Sequence, residues 1–163
     1  MFEYFISPTK GEMKFEKVVG DLIDFVLEQP EEVYRIIVGT DSEGKEVPDF
    51  VSAIVILRKG KGGRYFWKKI RDQKKYTLRT RIYEETMLSL KLAMKLRESI
   101  EKKLEKIRPK NYKNLEIHTD IGQVGETREM IKEIVGMVRG NGFEVKIKPE
   151  AFGASSVADY YLK

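Results

Sequence analysis

Arg35-Ile-Ile-Val-Gly-Thr-Asp41 is an apolar run that closes on an acid, and the turn Ser42-Glu-Gly-Lys45 follows it at once. Ile36, Ile37 and Val38 are β-branched, which suits a pleated, half-buried surface and predicts a strand from Tyr34 to Asp41. A second run, Phe50 to Arg58, is nearly all apolar, so it reads as a central strand covered on both faces. Lys59-Gly-Lys-Gly-Gly63 signals a hairpin, and Arg64 to Arg71 supplies a third strand. Three strands joined by short turns form an antiparallel meander.

Downstream of the meander the apolar period lengthens. From about Thr80 to Ile107 a stripe of Ile82, Glu85, Leu88, Ser89, Leu92, Ala93, Leu96, Ile100 and Leu104 predicts a long helix, ended by Pro109. Asn114-Leu-Glu-Ile-His-Thr-Asp120 reads as a fourth strand, again closing on an acid. A glycine-containing turn then leads to a helix from Glu126 to Arg139, stopped by Asn141-Gly142. Phe143 to Lys148 forms a fifth strand, and Ala154 to Leu162 a last helix. Upstream, Phe15, Val18, Val19, Leu22, Ile23 and Val26 recur at helical spacing, so Lys14 to Glu28 is an amphipathic helix. The dozen residues before it, with Pro8 and Gly11 as breakers, read as loosely structured. The expected fold is α/β: a mixed five-stranded sheet, three antiparallel strands and then parallel ones, flanked by helices. Residues 1–33 form a segment and helix packed on a domain of residues 34–163.

The 163 residues suffice for one self-supporting core. No apolar run is long enough for a bilayer. The start, Met1-Phe-Glu-Tyr-Phe-Ile, lacks the basic and small-residue features of a secretion signal. With no cysteine for disulfides or thiolate metal sites, the expectation is a cytoplasmic protein with no membrane association. The net charge of +5 is unevenly spread. Arg58 to Arg81 holds eleven basic residues against the single acid Asp72, a local +10, which leaves −5 for the remainder. A basic block on an otherwise acidic body is the footprint of a polyanion partner. Arg64, Lys68, Lys69, Arg71, Lys74 and Lys75 are the candidate nucleic-acid contacts, and Trp67 among them could stack on a base. The bland reading is a solvated hairpin whose lysines keep an edge strand soluble.

Four acids stand far apart in sequence at element ends or on an apolar face: Asp41, Glu85, Asp120 and Asp159. Acids gathered near a core must be paired, protonated or metal-bound. Should the four converge, a pair of divalent cations is the natural neutraliser, which points to phosphoryl chemistry. Each has a bland alternative. Asp41 and Asp120 could open turns, Glu85 could pair with Arg81 one helical turn earlier, and Asp159 could be an ordinary surface acid. His118, two residues before Asp120, faces the same way and is either an outer partner of the acids or a satisfied sheet histidine. Lys148, after the fifth strand, could touch phosphate, whereas Glu43 and Glu116 read as solvent-facing charges.

That element order with those four acids resembles the ribonuclease H-like superfamily over roughly Tyr34 to Lys163. A closer likeness, carried by His118-Thr-Asp-Ile-Gly122, Lys146-Ile-Lys-Pro149 and Ala154-Ser-Ser-Val-Ala-Asp159, is to the YkuK-type bacterial members. The resemblance implies that Asp41, Glu85, Asp120 and Asp159 are catalytic ligands of two Mg²⁺ or Mn²⁺ ions. It implies a nuclease hydrolysing phosphodiester bonds of RNA, DNA or a hybrid. The run Ser42-Glu-Gly-Lys45 replaces the glycine-rich turn usual after the first acid in ribonuclease H proper. The alternative is a non-catalytic module on the same scaffold that binds nucleic acid or a ribosome.

Overall fold

The structure, a computed structural model, describes residues 1–104, 115–152 and 156. Its order is β1 (Tyr4–Ser7), β2 (Gly11–Lys14), α1 (Phe15–Glu28), β3 (Tyr34–Ser42), β4 (Asp49–Arg58), β5 (Gly63–Arg71), α2 (Leu78–Leu104), β6 (Glu116–His118), a 3₁₀ turn (Arg128–Met130), α3 (Ile131–Gly140) and β7 (Glu144–Lys146). The described strands make one seven-stranded mixed sheet in the order β2-β1-β5-β4-β3-β6-β7. The expected meander is β3-β4-β5, antiparallel throughout. β6 runs parallel to β3, and β7 parallel to β6, as the crossover helices require.

Two strands exceed the expected five, and they correct the reading of the N-terminus. Residues 4–14 form a hairpin added antiparallel to the edge of β5, with Ile6 opposite Trp67. Pro8 and Gly11 break no structure beyond the turn itself. Ser7 Oγ accepts the N–H groups of Thr9 and Lys10, and Gly11 takes the positive φ (71°) at which the return strand starts. Phe5 is fully buried, stacked on Phe2 and tilted against Phe15. The helix expected from Glu126 opens as a 3₁₀ turn and becomes α-helical only at Ile131. The expected last helix lies almost wholly outside the described residues.

The described helices cover one face of the sheet. Val18, Leu22 and Val26 of α1 and Leu88, Leu92 and Leu96 of α2 pack with Ile36, Val38, Ile54, Ile56 and Phe66 into one core. Alternation along the strands sends Ile37, Ala53 and Val55 to the opposite face, where they cluster with Leu57, Tyr65 and Trp67. The C-terminal end of α1 is closed by buried polar groups rather than by glycine. Tyr34 Oη donates to Gln29 O at 2.7 Å, and Arg58 Nη2 donates to Phe25 O at 2.7 Å with its guanidinium 4.0 Å over the Phe25 ring. These bonds satisfy carbonyls that the helix leaves without internal partners.

Candidate functional site

The parallel pairing places three sequence-distant residues in a row. Gly39 pairs with His118, and His118 with Lys146. Two residues further on, which keeps the same face, come Asp41, Asp120 and Lys148. They emerge at the carboxyl ends of neighbouring parallel strands, where α/β sheets usually bind ligands. Asp41 Oδ1 accepts the Ser42 N–H at 2.9 Å, and Asp120 Oδ1 lies 2.9 Å from Lys148 Nζ.

Glu85 reaches the same place from the other face. It lies on α2 near β3 and is buried among Ile82, Thr86 and Ser89. Ser42, one residue past Asp41 and therefore facing α2, donates its hydroxyl to Glu85 Oε1 at 2.5 Å. Burial pushes the Glu85 carboxyl up to about 8; Asp41 and Asp120 add to the rise, while the Ser42 bond and Arg81 oppose it. The three acids therefore share one electrostatic neighbourhood. In place of the alternative Arg81–Glu85 pair, Arg81 Nη1 donates to the backbone oxygen of Glu43 at 3.0 Å. Beneath Glu85 a buried hydroxyl chain runs from Ser89 Oγ to Thr40 Oγ1 (2.9 Å) and on to Ser52 Oγ (2.7 Å). The narrow cleft between Thr40, Glu85, Ser89 and Asp120 measures about 10 Å³. It is far smaller than a metabolite pocket, so a ligand here would have to sit at its mouth.

His118 and Glu116 occupy the same face of β6 as Asp120 and are both buried, which overturns the solvent-facing reading of Glu116. Arg35 holds Glu116 through two bonds, Nε at 2.7 Å and Nη2 at 2.6 Å. His118 Nε2 lies 3.2 Å from Glu116 Oε1, and its Nδ1 lies 2.6 Å from Phe152 O and 3.0 Å from Phe152 N, so the ring's tautomer decides which of these contacts are hydrogen bonds. Burial would raise the Glu116 pKa, but Arg35 and His118 outweigh it and hold the carboxyl down at about 2. Both imidazole nitrogens are thus engaged below the acids. Glu43 is only half-buried; it accepts the Asp49 N–H at 3.0 Å and pairs with Lys45 at 2.8 Å.

A family model described as ribonuclease H-like matches residues 17–163 of this chain. The chain belongs to the ribonuclease H-like family. It is also 29% identical to the uncharacterised protein YkuK of Bacillus subtilis (strain 168), over 98% of this chain and 96% of that protein. No solved structure matches it.

A ribonuclease H-like site generally takes divalent metal ions, and the residues present can be tested against that. The donors are carboxylate and hydroxyl oxygens, the ligand class that hard divalent cations prefer. The pocket already favours positive charge: the bond to Asp120, with Asp41 behind it, raises the Lys148 pKa above its ordinary value despite partial burial. In donor chemistry and charge the site fits a cation. In its present arrangement Lys148 and Ser42 engage Asp120 and Glu85, and among the described residues no three Asp, Glu or His side chains stand close enough to hold one ion. Asp159 lies outside the described residues.

The basic segment of this ribonuclease H-like chain is partly neutralised by acids from elsewhere. Arg58 is buried against α1 and leaves the surface altogether. Arg64 lies 4.9 Å from the Phe25 ring and 3.4 Å from Glu28. Lys69 and Arg71 flank Asp49 at 3.6 and 3.9 Å, and Lys75 pairs with Glu46 at 3.7 Å. Lys68 is half-buried opposite Ser52, and Lys74 is exposed. Trp67 packs beside Ile37, Ala53 and Val55, on the face opposite Lys68. Among the described residues no helix is long and apolar enough to cross a membrane.

Proposed function

We propose that this chain is a divalent-metal-dependent nuclease that hydrolyses phosphodiester bonds of RNA, DNA or a hybrid. The observation that supports the reading most is the convergence of Asp41 and Asp120, from adjacent parallel strands, with Glu85, from the helix above, in a ribonuclease H-like chain. Asp41, Glu85, Asp120 and Asp159 would hold Mg²⁺ or Mn²⁺, two ions in the full arrangement. A bound ion would supply an activated water and charge stabilisation at the phosphate. The chain's own part is to hold these oxygens in place. Ser42 fixes Glu85 from below, and the Arg35–Glu116–His118 cluster stiffens β6 under Asp120. The cations Arg64, Lys68, Lys69, Arg71, Lys74 and Lys75 would grip backbone phosphates along β5 and the segment after it, with Trp67 anchoring that strand.

One observation favours a second reading. The Lys148–Asp120 pair neutralises an acid internally, as a non-catalytic nucleic-acid- or ribosome-binding module would need. The discriminating experiment incubates labelled RNA, DNA and hybrid oligonucleotides with the protein and Mn²⁺. The nuclease reading expects cleavage that chelation stops and that Asp41→Asn and Asp120→Asn each abolish in folded protein. Binding without cleavage, insensitive to chelator but weakened by Lys74→Ala, would establish the module instead.

A further inference from the structure

Lys148 is positioned over Asp120 by the backbone. Its N–H donates to Ile121 O at 2.8 Å, pinning its segment to the loop that carries Asp120. Gly122 makes the approach feasible, because a Cβ there would come within 3.0 Å of Lys148 Cβ. The β6–β7 register then delivers Lys148 beside Asp120, and Nζ closes to 2.9 Å. Both side chains remain partly open to solvent, 56% and 39% exposed, so the pair is screened and easily broken by a stronger cation. An ammonium set in this way fills the place beside Asp120 that a second positive charge would need.

Resting on the metal-dependent reading above, we propose that Lys148 is a resident counter-cation which competes with divalent metal for Asp120. Its consequence is a site that keeps its acids neutralised in the resting protein and binds metal less tightly than the carboxylates alone would. Lys148 is a positioning residue by this account, since it acts through Asp120.

The test is a direct Mn²⁺ titration of the full chain without nucleic acid, following free Mn²⁺ by electron paramagnetic resonance. Wild type, Lys148→Met, Lys148→Arg and Asp120→Asn are compared. Loss of one competing charge at a partly exposed site should tighten Mn²⁺ binding roughly fivefold in Lys148→Met. Lys148→Arg, which keeps the charge, should remain near wild type, and Asp120→Asn should bind more weakly. If Asp120→Asn loses affinity while Lys148→Met binds no tighter than wild type, the competition is overturned and the carboxylate site stands. If Asp120→Asn binds as well as wild type, or no variant binds Mn²⁺, both the competition and the metal site are overturned.

Discussion

Ser42 Oγ donates to Glu85 Oε1 at 2.5 Å, joining the end of β3 to α2 across 43 positions of sequence. This bond connects the two faces of the sheet at one point, because Asp41 and Ser42 are consecutive and point opposite ways. A strand end and a helix flank thereby become one site.

Glu85 makes stability depend on pH in an uncommon direction for a carboxylate. Its folded pKa, pushed up by burial to about 8, exceeds the unfolded value, so the folded state holds the extra proton. That contribution is fully present below the ordinary carboxylate range and is lost as pH rises through about 8. Urea unfolding in chelator should therefore show stability falling from about pH 5 to about pH 9, and Glu85→Gln should flatten that slope. An equal slope in the variant would contradict the assignment.

Glu116 behaves in the opposite sense. Its folded pKa of about 2 lies below the unfolded value, so its contribution is present above the ordinary range and lost as pH falls toward 2. Glu116→Gln removes the buried carboxylate that holds the partly exposed Arg35 guanidinium and should cost about 1–2 kcal/mol near neutral pH. Its stability should also decline less steeply than wild type in acid, as read by denaturant midpoints at several pH values.

Arg58 is expected to behave as a structural residue despite opening the basic segment. Its guanidinium bonds Tyr34 Oη at 3.0 Å and Phe25 O at 2.7 Å. Arg58→Met should destabilise by about 3 kcal/mol, because a buried carbonyl and a hydroxyl lose their partner. Nucleic-acid affinity per folded molecule should be unchanged in a salt titration.

The N-terminal hairpin belongs to the cooperative core. Phe5 is fully buried between Phe2 and Phe15, so Phe5→Ala should cost roughly 3–4 kcal/mol in a single unfolding transition. A change below about 1 kcal/mol would mean that this hairpin opens independently.

The meander was legible because β3 and β4 are rich in β-branched residues, and Ser42-Glu-Gly-Lys45 and Lys59-Gly-Lys-Gly-Gly63 mark the turns between the three strands. The juxtaposition of Asp41 and Asp120 was legible too, since alternation after a long crossover helix implies parallel neighbours. The hairpin of β1 and β2 was not. Strands of four residues carry too little periodicity, and Pro8 and Gly11 look alike in a turn and in a loose tail. Glu116 was misread because its partner Arg35 is 81 positions away, and local pattern carries no information on cross-strand charge pairing. The capping role of Arg58 was hidden for the same reason: its bonds reach Phe25, 33 positions earlier. Ser42 drew notice as a turn former, although its place next to Asp41 on a strand already directed it toward the helix side.

The most direct test of the carboxylate site is anomalous scattering from crystals soaked in Mn²⁺. The account predicts a peak within about 2.2 Å of carboxylate oxygens of Asp41 and Asp120, the bond length usual for such ions with oxygen. Anomalous density only elsewhere on the molecule, or none at Mn²⁺ concentrations that support cleavage, would contradict it.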